Sequence, residues 1–425
     1  MTLPMIGGIL AIMSMNIVDT FYVAQLGTPP LAAMGFTIPV ISVLLSLAFG
    51  IGIGTSSVIA RAIGAREFDQ VKSYTTQSMF IAFFIAALFA FTGYHTMDVF
   101  FPILGAPPEL MPLIKEFMNV WFLGSFVVVI PMIGNAALRA TGNVGTPGMI
   151  MFAVALTNII LDPILIFGWF GMPRLELAGA ALSTVIAYTV GLVLCLYYLG
   201  FRLRFFSWQA CHQNIGASWR AILRISIPAV GTNLIAPLSI AITTGFVAHY
   251  SAESVAGFGL ASRIESIFLV LIMGLSSIMG PFVGQNWGAH RQDRVAEALR
   301  KSFRFCLIWG GSLTLLLWLC ADPIVSLFST DPAVIASAQS YLHLVPISYF
   351  FLGVIMIASS AANGMGDPKP SLIMSFLRLL VLYIPLALLL PIWIGIEGVY
   401  LAAALANIVV GIGALMWSQR FMRPS

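Results

Sequence analysis

The sequence predicts an all-α polytopic membrane protein: twelve transmembrane helices in two six-helix lobes, related by a pseudo-twofold axis along the membrane normal. Three observations carry this: the scarcity of charge, twelve apolar runs of membrane-crossing length, and an internal repeat. Of 425 residues, 60% are hydrophobic and 8% are Asp, Glu, Lys or Arg, against roughly 25% charged in an average soluble chain. A folded soluble chain still needs polar residues over its exterior. Here 20 basic and 16 acidic side chains are too few for that, and the mean hydropathy of +0.99 agrees. Soluble enzymes, nucleic-acid binders and disordered proteins drop out. The net charge of +4 is no nucleic-acid signature either, because no basic patch is interleaved with aromatics.

A helix needs about 20 mostly apolar residues to cross the hydrocarbon core. The runs that qualify are 3–26, 32–60, 75–97, 110–138, 147–170, 177–200, 221–249, 255–283, 301–320, 335–361, 370–392 and 397–418. Turn-forming stretches separate them, such as Gly27-Thr28-Pro29-Pro30, Gly105-Ala106-Pro107-Pro108 and Gly366-Asp367-Pro368. A β-barrel would instead show strands of about 10 residues that alternate polar with apolar; these runs are continuous. Met1 to Leu26 has no basic head and no small-residue cleavage site, so no cleavable signal peptide is expected. The first span begins so near Met1 that a missing short N-terminal tail stays open.

Basic residues orient the chain. Arg61, Arg66 and Lys72 follow span 2, and Arg139 follows span 4. Arg202, Arg204, Arg220 and Arg224 follow span 6; Arg291, Arg294, Arg300, Lys301 and Arg304 follow span 8. Lys369 follows span 10, and Arg420 and Arg423 close the chain, whereas the odd-numbered loops hold only Lys115 and Arg174. By the positive-inside rule both termini face the cytoplasm.

Aligned with itself, the sequence repeats. Asp19-Thr20-Phe21-Tyr22-Val23-Ala24 falls on Thr243-Thr244-Gly245-Phe246-Val247-Ala248, and Gly64-Ala65, Asp69 and Val71 fall on Gly288-Ala289, Asp293 and Val295. A second block places Gly145-Thr146-Pro147 on Gly366-Asp367-Pro368 and Glu176 on Glu397. Six spans per copy is an even number, so the copies are parallel. The expected domains are an N-terminal lobe at 1–205 and a C-terminal lobe at 206–425, with a mostly polar linker over 201–219.

A carboxylate at the bilayer centre costs at least ~2.5 kcal/mol, so one that is retained there faces the interior and usually has a task. Asp19 lies in span 1; Asp162 lies deep in span 5 with Asn158 one turn before it, on the same helix face. The repeat copies neither: Asp19 becomes Thr243, Asp162 becomes Tyr383 and Asn158 becomes Leu379. A symmetric scaffold with asymmetric charge points to an ion or proton site in the N-terminal lobe alone. Burial and a neighbouring carboxylate both favour the protonated form of a carboxyl group, and the same oxygens, with Asn158, could coordinate Na⁺. The competing reading is a structural, hydrogen-bonded Asp near a helix end. Glu265 and Arg263 in span 8, a candidate C-lobe polar site, do not share a helix face, and Arg378 lies in span 11. Pro4, near the start of span 1, is a candidate hinge that bends the helix when Asp19 is protonated.

No catalytic constellation is present: no Ser/His/Asp trio, no HExxH, no P-loop. The cysteines Cys195, Cys211, Cys306 and Cys320 lack CxxC spacing and a nearby His cluster, so they read as small apolar filler. The 20 Met and 31 Phe offer soft apolar surface suited to varied cations. The chain therefore reads as no enzyme, with no cofactor, and with an ion gradient as its energy source.

Val18-Asp19-Thr20, the Gly64/Gly288 loop pair, Arg139-Ala-Thr-Gly-Asn143 with Gly145-Thr-Pro147, and Asn158-x-x-x-Asp162-Pro163 together resemble the multidrug and toxic compound extrusion (MATE) family over essentially the whole chain. Asp19, Asn158 and Asp162 resemble its DinF-like branch. That resemblance implies a cation site that also includes Asn135 and Thr184, and export of organic cations and drugs against H⁺ or Na⁺, with H⁺ taken first. It implies an antibiotic-resistance exporter of the inner membrane, monomeric, in contact with lipid and with no nucleic-acid partner. The family's C-lobe cation site pairs acidic residues in later spans; Glu265 has no such partner in spans 10 or 11. The rival reading is a lipid-linked sugar or lipid flippase of the same superfamily. Such a cavity would need several cationic residues to hold a diphosphate, and only Arg263 and Arg378 lie well inside spans, away from their ends.

Overall fold

A computed structural model describes residues 2–207 and 214–422. Among the described residues, twelve helical segments are long and apolar enough to cross a membrane. The first nine spans are the helices α1 (Thr2–Ala24), α2 (Thr28–Gly64), α3 (Phe68–Ile103), α4 (Met111–Ala140), α5 (Gly145–Phe167), α6 (Glu176–Tyr197), α7 (Ile215–Ala248), α8 (Ala252–Gly288) and α9 (Gln292–Ser326). Span 10 is two helices, α10 (Pro332–Leu344) and α11 (Tyr349–Met365), joined by a 3₁₀ turn at Val345–Ser348. Span 11 runs from α12 (Lys369–Phe376) through a π-helical stretch at Leu377–Tyr383 into α13 (Ile384–Leu389) and α14 (Pro391–Ile394). Span 12 is α15 (Ile396–Met422). Residues 208–213 of the expected linker, with Cys211, and Arg423 lie outside the described residues.

The turn residues stop and start these helices for identifiable reasons. Pro29 and Pro30 occupy the first positions of α2, where a missing N–H loses no helical bond. Ser251 caps α8 by accepting a hydrogen bond from the Ser254 N–H at 3.0 Å, and Asp331 caps α10 through the Ala333 N–H at 2.8 Å.

The internal repeat is visible in backbone geometry. After α2, Arg66 turns left-handed at φ 62°, and after α8 its counterpart His290 does the same at φ 57°. The hydrogen bonds match as well: Ala65, Arg66 and Glu67 donate to Arg61, Ile63 and Ala62, while Ala289, His290 and Arg291 donate to Gln285, Trp287 and Asn286. In the second block the structure corrects the alignment. The left-handed glycine that ends α4 is Gly142 (φ 84°), and the one that ends α11 is Gly366 (φ 88°). Asn143 then accepts from the Gly145 N–H at 3.1 Å, as Asp367 accepts from the Lys369 N–H at 3.3 Å. Gly142-Asn143, rather than Gly145-Thr146, is therefore the counterpart of Gly366-Asp367. The shared requirement is a positive φ followed by a side-chain cap, which residue-type matching does not see.

The chain divides into two compact units, Met1–Val230 and Gly231–Ser425. The division falls inside α7, past the linker where the sequence places it. In the first unit α5 packs on α1 and α6, and α4 on α2, α3 and α6. The first half of α7 joins the same core through Ile222 and Ile225, with Ser218 bonded to Ser73 at 3.0 Å and the Trp219 indole donating to Gln77 at 2.8 Å. In the second unit α8 packs on α10 and α11, and α11 also packs on α9 and α15. Cys195 is buried against Gly134, and Cys306 against Gly353.

The approach of α1 to α5 is unusually close. Gly148 packs on the Pro4 carbonyl, and a Cβ added at Gly8 would lie 3.1 Å from the Gly148 Cα. Small residues let helix backbones come together in this way. Pro4 sits in the first turn of α1, and the helix runs unbroken from Thr2 to Ala24.

A candidate cation site in the first unit

α5 and α6 carry a closed polar cluster in an otherwise apolar core. Asn158 and Asp162 are one turn apart on α5 and both 0% exposed. The Ser183 hydroxyl on α6 donates to Asp162 Oδ1 in a short hydrogen bond. Asn158 Nδ2 reaches Asp162 Oδ1 at 3.2 Å and the hydroxyls of Ser183 and Thr184 at 3.3 Å each. Both hydroxyls also bond the Ala180 carbonyl, at 2.9 and 3.1 Å, which fixes their rotamers against the helix.

What this network leaves unpaired is informative. Asp162 Oδ2, Asn158 Oδ1, Asn135 Oδ1 and Asp19 Oδ1 are buried oxygens without a hydrogen-bond partner. Burying such an acceptor unpaired costs about 1–3 kcal/mol. All four are acceptors, and two belong to carboxylates close enough to interact electrostatically, Asp19 with Asp162. A group of this kind is suited to receiving a proton or a small cation, and the oxygen donors fit a hard ion such as Na⁺. Among the described residues no group of His, Cys, Asp and Glu has the makings of a transition-metal site.

The sequence-predicted residues Asn158, Asp162 and Thr184 are thus joined in one hydrogen-bonded cluster. Asp19 and Asn135 each add an unpaired buried oxygen in the same unit. The residue the sequence reading passed over is Ser183, whose only signal was its place beside Thr184. In the second unit, Glu265 accepts a 2.6 Å hydrogen bond from the Tyr341 hydroxyl. Arg263 is exposed and does not face Glu265's side of α8; the intramembrane base that lines the same cavity as Glu265 is Arg378.

Ser183→Ala should leave Asp162 Oδ1 with Asn158 alone. It is expected to lower stability by about 0.5–1.5 kcal/mol, read as a fall in the midpoint of thermal unfolding in detergent, while dye efflux persists.

Twelve membrane-crossing helices, with a polar cluster closed inside one unit, define an integral membrane protein. Comparison with known proteins gives the family: one family model, MatE, matches residues 4–164 and again 228–389, once in each repeat. The chain belongs to the MatE family, the multidrug and toxic compound extrusion transporters, and is a multi-pass membrane protein, not an enzyme. It is 37% identical to the FAD transporter of Shewanella oneidensis over all of this chain and 94% of that one. It is 25% identical to the probable multidrug resistance protein NorM of Thermotoga maritima, over 93% of this chain and 87% of that one. Among solved structures, the Vibrio cholerae MATE transporter VcmN in the bent form superposes with a TM-score of 0.94 at 32% identity, covering 99% of this chain and 95% of that one.

Proposed function

We propose that this protein exports small organic compounds, cationic drugs among them, across the inner membrane in exchange for protons, by alternating access. Asp19 and Asp162 form the coupling site, and both termini lie in the cytoplasm. The observation that carries this reading is the set of unpaired buried oxygens on Asp19, Asp162, Asn158 and Asn135, confined to one of the two repeats. The proton is taken before Na⁺ because burial and a neighbouring carboxylate both favour the protonated form of a carboxyl group; Asp162 Oδ2 is the oxygen left free to receive it.

The test uses inverted membrane vesicles that carry the full chain and a cationic dye, ethidium, with the gradient imposed as ΔpH or as ΔNa⁺. Ethidium uptake driven by ΔpH, and indifferent to Na⁺, is the expected result. Uptake that follows ΔNa⁺ alone would move the assignment to sodium.

A second reading of the substrate is favoured by the 37% identity to a relative named FAD transporter. On that reading the same coupling site drives export of a flavin dinucleotide. Radiolabelled FAD in the same vesicles separates the two, since competition by FAD against ethidium is expected only if FAD is carried.

A further inference from the structure

The second unit holds a cavity of about 270 Å³. Its walls come from the later part of α7, from α8, α10, α11, the π-helical stretch of span 11 and α15. The π-helical stretch supplies Arg378, Leu379 and Tyr383. Such turns are rare and frequent at functional sites.

Two of the lining residues carry charge, Glu265 from α8 and Arg378 from span 11. The tyrosines among the others are spoken for. The Tyr383 hydroxyl pairs with Thr243 at 2.7 Å and the Tyr400 hydroxyl with Ser337 at 3.2 Å, while Tyr341 donates to Glu265 at 2.6 Å. All three rings are buried, so they close the wall and offer no face to a solute. Asn407 donates to Ser348 at 3.0 Å and accepts a long 3.5 Å hydrogen bond from Arg378.

Glu265 and Arg378 do not touch: neither belongs to the ion pairs found among the described residues. They nevertheless lie within electrostatic reach of each other across the cavity. Attraction between charges falls only as the inverse of their distance, and it is strong where water is scarce. A lone carboxylate or a lone guanidinium inside a membrane span is costly, and removing one member of such a pair strands the other. The lining as a whole is therefore neutral. The two units differ on this point. In the first, the charged neighbour of Asp19 is a second carboxylate, Asp162; in the second, the charged neighbour of Glu265 is a guanidinium.

We propose that Arg378 is a specificity-determining residue, a tethered cation that balances Glu265 and so closes the cavity of the second unit to free cations. The proposal goes beyond the coupling reading and stands apart from it. Uptake driven by a gradient tests Asp19 and Asp162, whereas the balance at Glu265 is measured with no gradient at all.

The test replaces the tether with a free ion. Arg378→Ala removes the side chain beyond Cβ, and the missing piece is ethylguanidinium. The purified full chain in lipid nanodiscs is unfolded by heat at constant ionic strength, with ethylguanidinium or its neutral isostere ethylurea. Any shift in wild type sets the background from other sites. Arg378→Ala should unfold several degrees lower than wild type, because Glu265 is left unbalanced. Millimolar ethylguanidinium should raise that midpoint saturably and beyond the background, as a ligand of the folded state does, and ethylurea should not. Arg378→Lys, which keeps the charge, should show no more than the background, and Glu265→Ala/Arg378→Ala should lose the response. Should Arg378→Ala fail to fold, Glu265→Ala reads the balance from the other side: acetate, the piece it lacks, should stabilise it and acetamide should not. The proposal is overturned by a folded single alanine variant that responds to its missing ion no more than wild type does. Equal effects of an ion and its neutral isostere, or a response that survives in the double variant, overturn it as well.

Discussion

Asp19→Asn is expected to reduce ΔpH-driven ethidium transport to the background of vesicles lacking the protein, with expression and thermal stability unchanged. Asparagine has the shape of aspartate, but it neither gains nor loses a proton. The Asp19 Oδ1 atom makes no hydrogen bond that the substitution would break, so folding has little to lose. Asp162→Asn should lose transport likewise. Its amide oxygen can take the Oδ1 place and go on accepting from Asn158 and Ser183, with the amide nitrogen where Oδ2 stands unpaired, so the hydrogen bonds survive, weakened by loss of the charge. Vesicle transport and unfolding midpoints measured together separate lost coupling from lost stability. Full ΔpH coupling in Asp19→Asn would remove Asp19 from the mechanism.

Gly148→Val is expected to be the most damaging single change in the α1–α5 contact. A Cβ at this position meets the Pro4 carbonyl oxygen and lies 2.9 Å from its carbonyl carbon. The obstacle is backbone, so no rotamer relieves it. Overpacking of one well-packed site typically costs about 1–3 kcal/mol, and valine adds two further methyl groups. The chain should unfold at lower temperature in detergent and lose transport. Pro4→Ala is the control: it keeps the Cβ and the carbonyl, and restores an N–H that the first turn leaves without a helical acceptor. If Pro4 acts as a hinge, Pro4→Ala slows transport without lowering stability. Unchanged rate and coupling would end the hinge idea and leave Pro4 as packing for Gly148.

The span pattern was legible because hydropathy and loop charge are both one-dimensional signals. So was the first repeat block, since Gly64-Ala65 and Gly288-Ala289 keep one spacing from the residues around them. The second block misled, because proline and glycine were matched by type, while the backbone matches by left-handed cap and Asx turn at Gly142-Asn143 and Gly366-Asp367. Asn158, Asp162 and Thr184 were readable from charge and resemblance. Ser183 was not, since a helical serine commonly satisfies itself on a carbonyl one turn back, and here it does that as well. Arg378 shares a cavity with Glu265 from a distant span, a pairing no local spacing announces. The 3₁₀ and π-helical stretches that shape the cavity follow from tertiary packing, and their sequence is merely apolar.

The slack turn in span 11 has a consequence for how a duplicated protein diverges. In a regular helix each residue advances the wheel by about 100°. A stretch of wider turns holds more residues per revolution, so every side chain beyond it is rotated away from the direction its counterpart takes. One half of a tandem fold can in this way acquire a new inner surface while keeping its joints and its length. Few substitutions are needed, because the old residues are simply dealt to different neighbours.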